Sequence, residues 1–446
     1  MAVNVQTARA MTREQHNYRF VILGVVWTSY LIVYLSRLSV GPLAPFLKDS
    51  FNLSNAEVGS LMSATAITYA PSMIVAGLLV DRIGVKRILV GGTLLAGVSV
   101  ALLFVAPSYP ALLALLALSG FGCGCIYPSG IKALMIWFPP REWATAIGVN
   151  QSAINVSGIA GAAILPTVAV TLGWQYGFLF VGLVALAISA VCSLLYRDPA
   201  GLTDPPARSR AGQEEEGSVI ADAAAAGDAV PGPGGWRQTL DLLRRRDVWL
   251  LCLTGLFLGI VEFSVLAHLV LFLNKAMLYT VVAAGGLRAI CEAAGAVGKP
   301  GSGLVSDRLF HGRRKPALFG LCLVAAAVCV LFAAFDGRLG WGVYPGLVLF
   351  GVAAIGWGGL YATMAGELGG KKQAGLAAGL CSAVVNLGIV VGPPAFGYLV
   401  DATGSYRASW VFMAACAGVS VVTVSFVHEP RAGRSRQGVA AYGEGN

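Results

Sequence analysis

Gly77-Leu78-Leu79-Val80-Asp81-Arg82-Ile83-Gly84-Val85-Lys86-Arg87 decides how the rest of this chain is read. An apolar run stops at an acid and a base side by side, a glycine follows, and two further bases close the stretch. Residues 55–80 before it and 87–106 after it are apolar almost throughout. Each is long enough to cross a bilayer as a helix, which takes about 20 residues. The quoted stretch therefore reads as a tight connection between two spans, lying at one membrane surface.

Apolar stretches of spanning length recur beyond this turn, from 19–46 to 406–427, and divide the chain into twelve expected spans. Hydrophobic residues make up 57% of the 446 and charged residues 12%, with a mean hydropathy of +0.73. A soluble domain carries roughly a quarter charged residues, so this chain has too little polar surface to cover itself. The expected fold is an all-α membrane protein with twelve transmembrane helices in two pseudo-symmetric six-helix bundles. Residues 1–18 are polar and no short apolar core with a cleavage site follows, so the first span reads as uncleaved.

The formal charge of +9 is a topology signal and no sign of nucleic acid. Most of the Lys and Arg residues fall on one side of the expected membrane: Arg82, Lys86, Arg87, Arg244, Arg245, Arg246, Arg308, Arg313, Arg314 and Lys315 among them. Lys48, Lys275, Arg338 and Arg407 fall on the other. By the positive-inside rule both termini are cytoplasmic and the location is a bacterial inner membrane. The nine cysteines all lie inside expected spans and read as small packing residues.

The domain organisation follows from one interruption. Residues 198–246 carry Glu214-Glu215-Glu216, an alanine run and Pro231-Gly232-Pro233-Gly234-Gly235, and cannot bury enough apolar surface to fold. The reading is an N-terminal six-helix bundle over 1–197, a cytoplasmic linker over 198–246, a C-terminal six-helix bundle over 247–430 and a cytoplasmic tail over 431–446. The two bundles are related. One constant shift superposes Gly59, Gly77, Asp81 and Arg82 on Gly285, Gly303, Asp307 and Arg308. A slightly longer one matches Asn155 to Asn386. Parallel halves of this kind place a substrate site near the midplane.

Gly77 through Arg87 resembles the signature loop of the major facilitator superfamily, and Gly303-Leu304-Val305-Ser306-Asp307-Arg308 resembles its second copy. Trp137-Phe138-Pro139-Pro140-Arg141-Glu142 is similar to a loop common in anion-transporting members. The stretch from Gly356 through Tyr406 is similar to bacterial carriers of the cyanate-permease and monocarboxylate branches. The resemblance implies a transporter working by alternating access, and gating roles for Asp81, Arg82, Asp307 and Arg308. Physically, an acid at the end of one helix favours the positive N-terminus of another. Lys132 is read with this group, at the inner gate.

Charges inside spans are costly and therefore functional candidates. Arg37, Lys132, Arg288 and Lys299 stand against only Glu262 and Glu292, an excess of positive charge suited to an anion. Arg37 shares a helix face with Tyr30 and Tyr34; its planar fork suits a carboxylate or phosphate. Arg288 and Glu292 are spaced to pair, either as structure or as a switch that substrate opens. Asn150, Asn155, Trp357, Tyr361 and Asn386 are read as pocket-lining, Asn155 and Asn386 equally as helix–helix glue. Glu262, close to the repeat equivalent of Arg37, is the expected proton carrier, because withdrawal from water favours the neutral form of an acid. Glu292 is the second candidate, and His268 reads as a satisfied membrane histidine. No phosphate loop and no His/Cys cluster with metal spacing occurs, so neither enzyme chemistry nor any cofactor is expected. The partners are a small anionic substrate, protons and the lipid bilayer, with the protein acting as a monomer. The function expected is proton-coupled uptake of a small, monocarboxylate-like anion. The rival is a drug or metabolite exporter running proton antiport, and a third reading is a sensor built on the same fold.

Overall fold

The computed structural model describes residues 13–139, 142–197, 244–335 and 340–428. Linker residues 198–243, the tail 431–446 and the Asp81 side chain lie outside the described residues. Every regular element among those described is helical. Among the described residues, twelve helical stretches are long and apolar enough to cross a membrane, the first Tyr18–Phe51 and the last Tyr406–Phe426.

The helices are α1 (Arg13–Leu38), α2 (Val40–Phe51), α3 (Asn55–Ile83), α4 (Val85–Leu102), α5 (Tyr109–Trp137), α6 (Trp143–Thr171) and α7 (Trp174–Leu195). After the linker come α8 (Arg246–Lys275), α9 (Val281–Arg308), α10 (Arg314–Phe335), α11 (Val343–Phe350), α12 (Gly358–Thr403) and α13 (Tyr406–Phe426). The first span is interrupted at Ser39, between α1 and α2. Pro42 causes the break: it lacks an N–H, and its ring collides with the carbonyl one turn earlier. The turn between α3 and α4 is made by Gly84, at φ 91°, and that between α9 and α10 by Gly312, at φ 80°. Both copies of the signature loop thus use glycine where an L side chain would be strained.

Two departures from the sequence reading have local causes. A π-helical turn, Gly351–Ile355, separates α11 from α12 and turns the following residues relative to α-helical register. The expected break between the tenth and eleventh spans does not occur, since α12 is continuous from Gly358 to Thr403. Lys371-Lys372-Gln373-Ala374 within it are good helix formers.

The chain forms two compact units. One comprises Met1–Ser39, Ala64–Gly161 and Thr171–Ala207; the other comprises Val40–Ser63, Ala162–Val170 and Arg208–Asn446. The second unit thus takes in α2 and the start of α3 from the first half of the sequence. The first unit is built on a core that includes Ile22, Val26, Leu89, Ile126 and Leu134. In the second, α8 is the central element, with 78% of its spanning window buried. It packs closely on α12: a Cβ on Gly388 would lie 2.5 Å from the Leu256 carbonyl oxygen. Such backbone-to-backbone approach is how helices associate where lipid supplies no hydrophobic drive.

Candidate functional site

In the first unit Arg37 closes the last turn of α1. Its guanidinium carbon lies 3.9 Å from the Tyr69 ring centroid and 5.5 Å from that of Tyr34. Tyr30 stands 6.0 Å from Tyr34 and 5.8 Å from Tyr127, ring to ring. The arginine is only 7% exposed, yet no described residue gives it a hydrogen bond or an ion pair. Aromatic faces return about 0.5–2 kcal/mol to a cation, against a desolvation penalty of several kcal/mol. Tyr30 and Tyr34 were legible by spacing along one helix. Tyr69 and Tyr127, on α3 and α5, were not, although each is a tyrosine far from both ends of its span.

Asn150 on α6 is 1% exposed, and its Oδ1 has no protein partner among the described residues. Asn155 lies one turn further on and is part-buried. Lys132 on α5 is part-buried, and Arg82 at the end of α3 is exposed. A salt bridge that the sequence reading did not foresee joins Arg19 of α1 to Glu142 at 2.8 Å. The Arg19 guanidinium also stacks on Phe138 at 5.2 Å. Phe138 and Glu142 are thereby fastened to the start of the first span.

In the second unit Arg288 and Glu292 of α9 are almost completely enclosed, 0% and 3% exposed. Their nearest approach, Nη2 to Oε1, is 3.6 Å, longer than a good charge-assisted hydrogen bond. All three guanidinium nitrogens lack a hydrogen-bond partner among the described residues. The group is pressed against α2, where a Cβ on Gly41 would lie 2.4 Å from Arg288 Nη1. Only glycine admits the arginine at that point. A buried ion pair without satisfying hydrogen bonds is poor stabilisation.

Glu262 of α8 accepts a hydrogen bond from Trp357 Nε1 at 3.0 Å, and Lys299 and Glu292 lie within its electrostatic reach. The π turn immediately before Trp357 is held against α9, where a Cβ on Gly295 would meet Ile355 at 2.6 Å. Trp357 packs edge-on against Tyr361 at 5.0 Å. Tyr361 is buried and donates weakly to the Cys381 carbonyl at 3.5 Å. Asn386 donates to the Ser382 carbonyl of its own helix, at 3.0 Å. Glu262 has no base within four residues on its own helix; the fold supplies Lys299 from α9. Two bases and two acids therefore make up the cluster.

At the end of α9, Asp307 pairs with Arg314, which also reaches Glu367 of α12 at 3.5 Å. The second copy of the signature loop is thus tied within its own unit, while Arg308 is exposed.

Among the described residues, helices of spanning length thus enclose a buried arginine without an ion-pair partner and a separate cluster of charges. The family model described as Major Facilitator Superfamily matches residues 26–380, and the chain belongs to that superfamily of transporters. It is 26% identical to the probable sulfoacetate transporter SauU of Cupriavidus necator, over 92% of this chain and 94% of the relative. It is also 26% identical to the membrane sensor protein UhpC of Salmonella typhimurium, over 82% of each. Against the hexuronate transporter of Bacillus subtilis it is 24% identical, over 89% of this chain and 92% of that one. The fold matches the crystal structure of a bacterial homolog to the human lysosomal transporter Spinster in its inward-facing, unoccupied conformation. That match has a TM-score of 0.70 at 18% identity, over 92% of this chain and 95% of the other.

Charge swapping tests what Arg288 and Glu292 do. Arg288→Glu or Glu292→Arg alone breaks the pair, at a cost of about 3–5 kcal/mol, and folded yield and uptake both fall. The double swap is expected to restore a monodisperse folded protein while uptake stays below about a tenth of wild type, because the fork no longer faces Gly41. Full recovery of uptake by the swap would assign the pair to structure alone.

Proposed function

We propose that this transporter imports a small organic anion together with protons, by alternating access, as a monomer in a bacterial inner membrane. Both termini are cytoplasmic in this reading, and residues 1–197 and 247–430 act as the two halves. The observation that carries it is Arg37, a buried cation that the described residues surround with tyrosine rings and provide with no acid. Its fork takes a carboxylate or sulfonate, and the hydroxyls of Tyr30, Tyr34 and Tyr69 donate to the remaining oxygens. Asn150 and Asn155 contribute amide groups from α6. Relatives named for sulfoacetate and hexuronate carry organic acids in their names, which supports that class over inorganic anions such as cyanate or nitrate.

Glu262 carries the coupled proton, Trp357 orients its carboxylate, and Arg288 exchanges Glu292 for a more strongly bound partner during the cycle. Tyr361 and Asn386 support this arrangement from α12. Asp81, Arg82, Lys132, Asp307 and Arg308 control the cytoplasmic gate.

Purified protein in liposomes carrying an internal pH indicator tests the reading. Adding a permeating-inert organic acid such as sulfoacetate or a hexuronate outside should acidify the lumen as labelled anion enters. Anion-driven alkalinisation would instead mark antiport and the exporter. The similarity to UhpC favours a second reading as a sensor, for which the anion binds and neither anion nor proton crosses.

A further inference from the structure

The α3 and α12 helices meet along a seam that is fastened by a polar contact at each end. The deep end begins with a proline. Pro394 lies inside α12 and has no N–H, so the carbonyl one turn earlier, on Val390, loses its helical donor. Ser63 of α3 replaces it, its Oγ donating to the Val390 carbonyl at 2.6 Å. The same hydroxyl lies 3.4 Å from the Gly59 carbonyl of its own helix, a second acceptor to which it can return. Between the two ends the backbones nearly touch. A Cβ on Gly59 would collide with the Pro393 carbonyl, and one on Gly397 with the carbonyl of Asn55. Asn55, Gly59 and Ser63 are four residues apart in turn, which puts them on one face of α3.

The outer end is a helix cap supplied from another helix. The first turn of any α-helix has N–H groups without internal partners. Ser54 and Glu57 satisfy part of that turn as a capping box: Glu57 N donates to Ser54 Oγ at 3.1 Å, and Ser54 N to Glu57 Oε2 at 2.8 Å. Asn55 N and Ala56 N go instead to the two carboxylate oxygens of Asp401, at 2.9 and 2.8 Å. Asn55 Nδ2 also donates to Asp401 Oδ1, at 2.6 Å, and Asn55 Oδ1 accepts from Lys48 Nζ at 2.6 Å. Asp401 lies in the last turn of α12, so its charge meets the positive end of α3. The Asn55 carbonyl lies 3.0 Å from Nε2 of His268, a buried histidine that backs the cap and stacks on Phe396 at 4.9 Å.

Two features mark this contact as one made to be broken. Asn55 is buried but Asp401 is exposed, so water reaches the carboxylate and can take over its bonds. All the seam residues belong to the second compact unit, whereas α3 from Ala64 onward belongs to the first. The seam therefore ends where the helix passes from one unit to the other.

We propose that Asp401 and Ser63 are gating residues, which hold the outward side shut by fastening the two ends of the α3–α12 seam. The proposal rests on the alternating-access reading, in which this end of α3 faces outward, and names the bonds exchanged when that side opens. Asn55 N and Ala56 N pass from Asp401 to water, the capping box keeps the first turn helical, and Ser63 returns to the Gly59 carbonyl. No buried donor is stranded, so the seam opens without unravelling α3 and closes again by the same bonds.

Nitroxide labels at Ser50→Cys and Ala402→Cys, exposed positions on α2 and α12, report the seam by pulsed dipolar distance measurement without substrate or gradient. The unsubstituted protein, labelled alike, gives the background from its native cysteines. Wild-type protein should show mainly the short distance. Asp401→Asn keeps the shape and removes the charge, and should raise the ratio of long to short distances about tenfold, the worth of one charge-assisted hydrogen bond. Ser63→Ala should raise it a few-fold, as should Gly397→Ala, which wedges the seam with Asp401 intact. A folded, monodisperse Asp401→Asn protein with the wild-type distribution overturns the proposal and makes Asp401 a structural cap alone. If that variant does not fold, the other two decide: short distances kept in both overturn it equally. Since no transport is measured, failure here is separate from a failure of anion–proton co-movement in liposomes.

Discussion

Arg37→Ala is expected to lower uptake at least about 100-fold while the protein still inserts and folds. The estimate comes from two charge-assisted hydrogen bonds of a bidentate fork, together worth about 3 kcal/mol, each 1.4 kcal/mol being a factor of ten. Folding should survive because no described residue forms an ion pair with Arg37, so truncation leaves no buried acid behind. The space is closed on two sides by the Tyr34 and Tyr69 rings, which stay in place. Arg37→Lys should recover little, since an ammonium is a point charge without the planar fork. Initial uptake rates, set against the amount of monodisperse protein in each membrane preparation, provide the check. Near-normal transport by the alanine variant would remove Arg37 from the site.

Glu262→Gln should separate transport from coupling. The cluster of Arg288, Lys299, Glu262 and Glu292 is neutral with both acids ionised, and a proton on Glu262 leaves it one positive charge in excess. An added positive charge favours an anion, so proton and anion binding are linked. Glutamine imitates the protonated acid and keeps an oxygen for the Trp357 Nε1 donor. The variant is therefore expected to lose accumulation driven by a pH gradient and to retain exchange of labelled for unlabelled anion. Wild-type protein should bind the anion more tightly as pH falls, and the variant should show a flat dependence. Accumulation against the anion's gradient by Glu262→Gln under a proton gradient would pass the carrier role to Glu292.

The pairing of Arg288 with Glu292 was legible because both sit one turn apart on one helix, where geometry is set by the backbone alone. The enclosure of that pair under Gly41 was not, because it depends on α2 meeting α9, helices far apart in the chain. Lys299 illustrates the same limit. On its own helix it is a base near one end, and only the packing of α8 on α9 brings it to Glu262. Likewise Ser54-x-x-Glu57 announces a helix start to any reader of capping signals. Nothing near it in sequence points to Asp401.

By itself the sequence determined that this is a polytopic α-helical membrane protein of the Major Facilitator Superfamily, because solvent preference, span length and a glycine-punctuated charged turn are local properties that each segment expresses alone. It also determined which charges lie within the spans, since hydrocarbon makes each of them costly wherever its helix packs. Tertiary structure decided which of those charges are answered. Among the described residues Arg37 meets tyrosine rings and no acid, Arg288 is enclosed without a hydrogen bond, Glu262 gains Trp357 and Lys299, and Asp401 caps a helix that begins 346 residues earlier. Such partnerships are set by distances of a few ångströms between separate helices, and hydropathy and spacing along one strand of sequence carry no information about them.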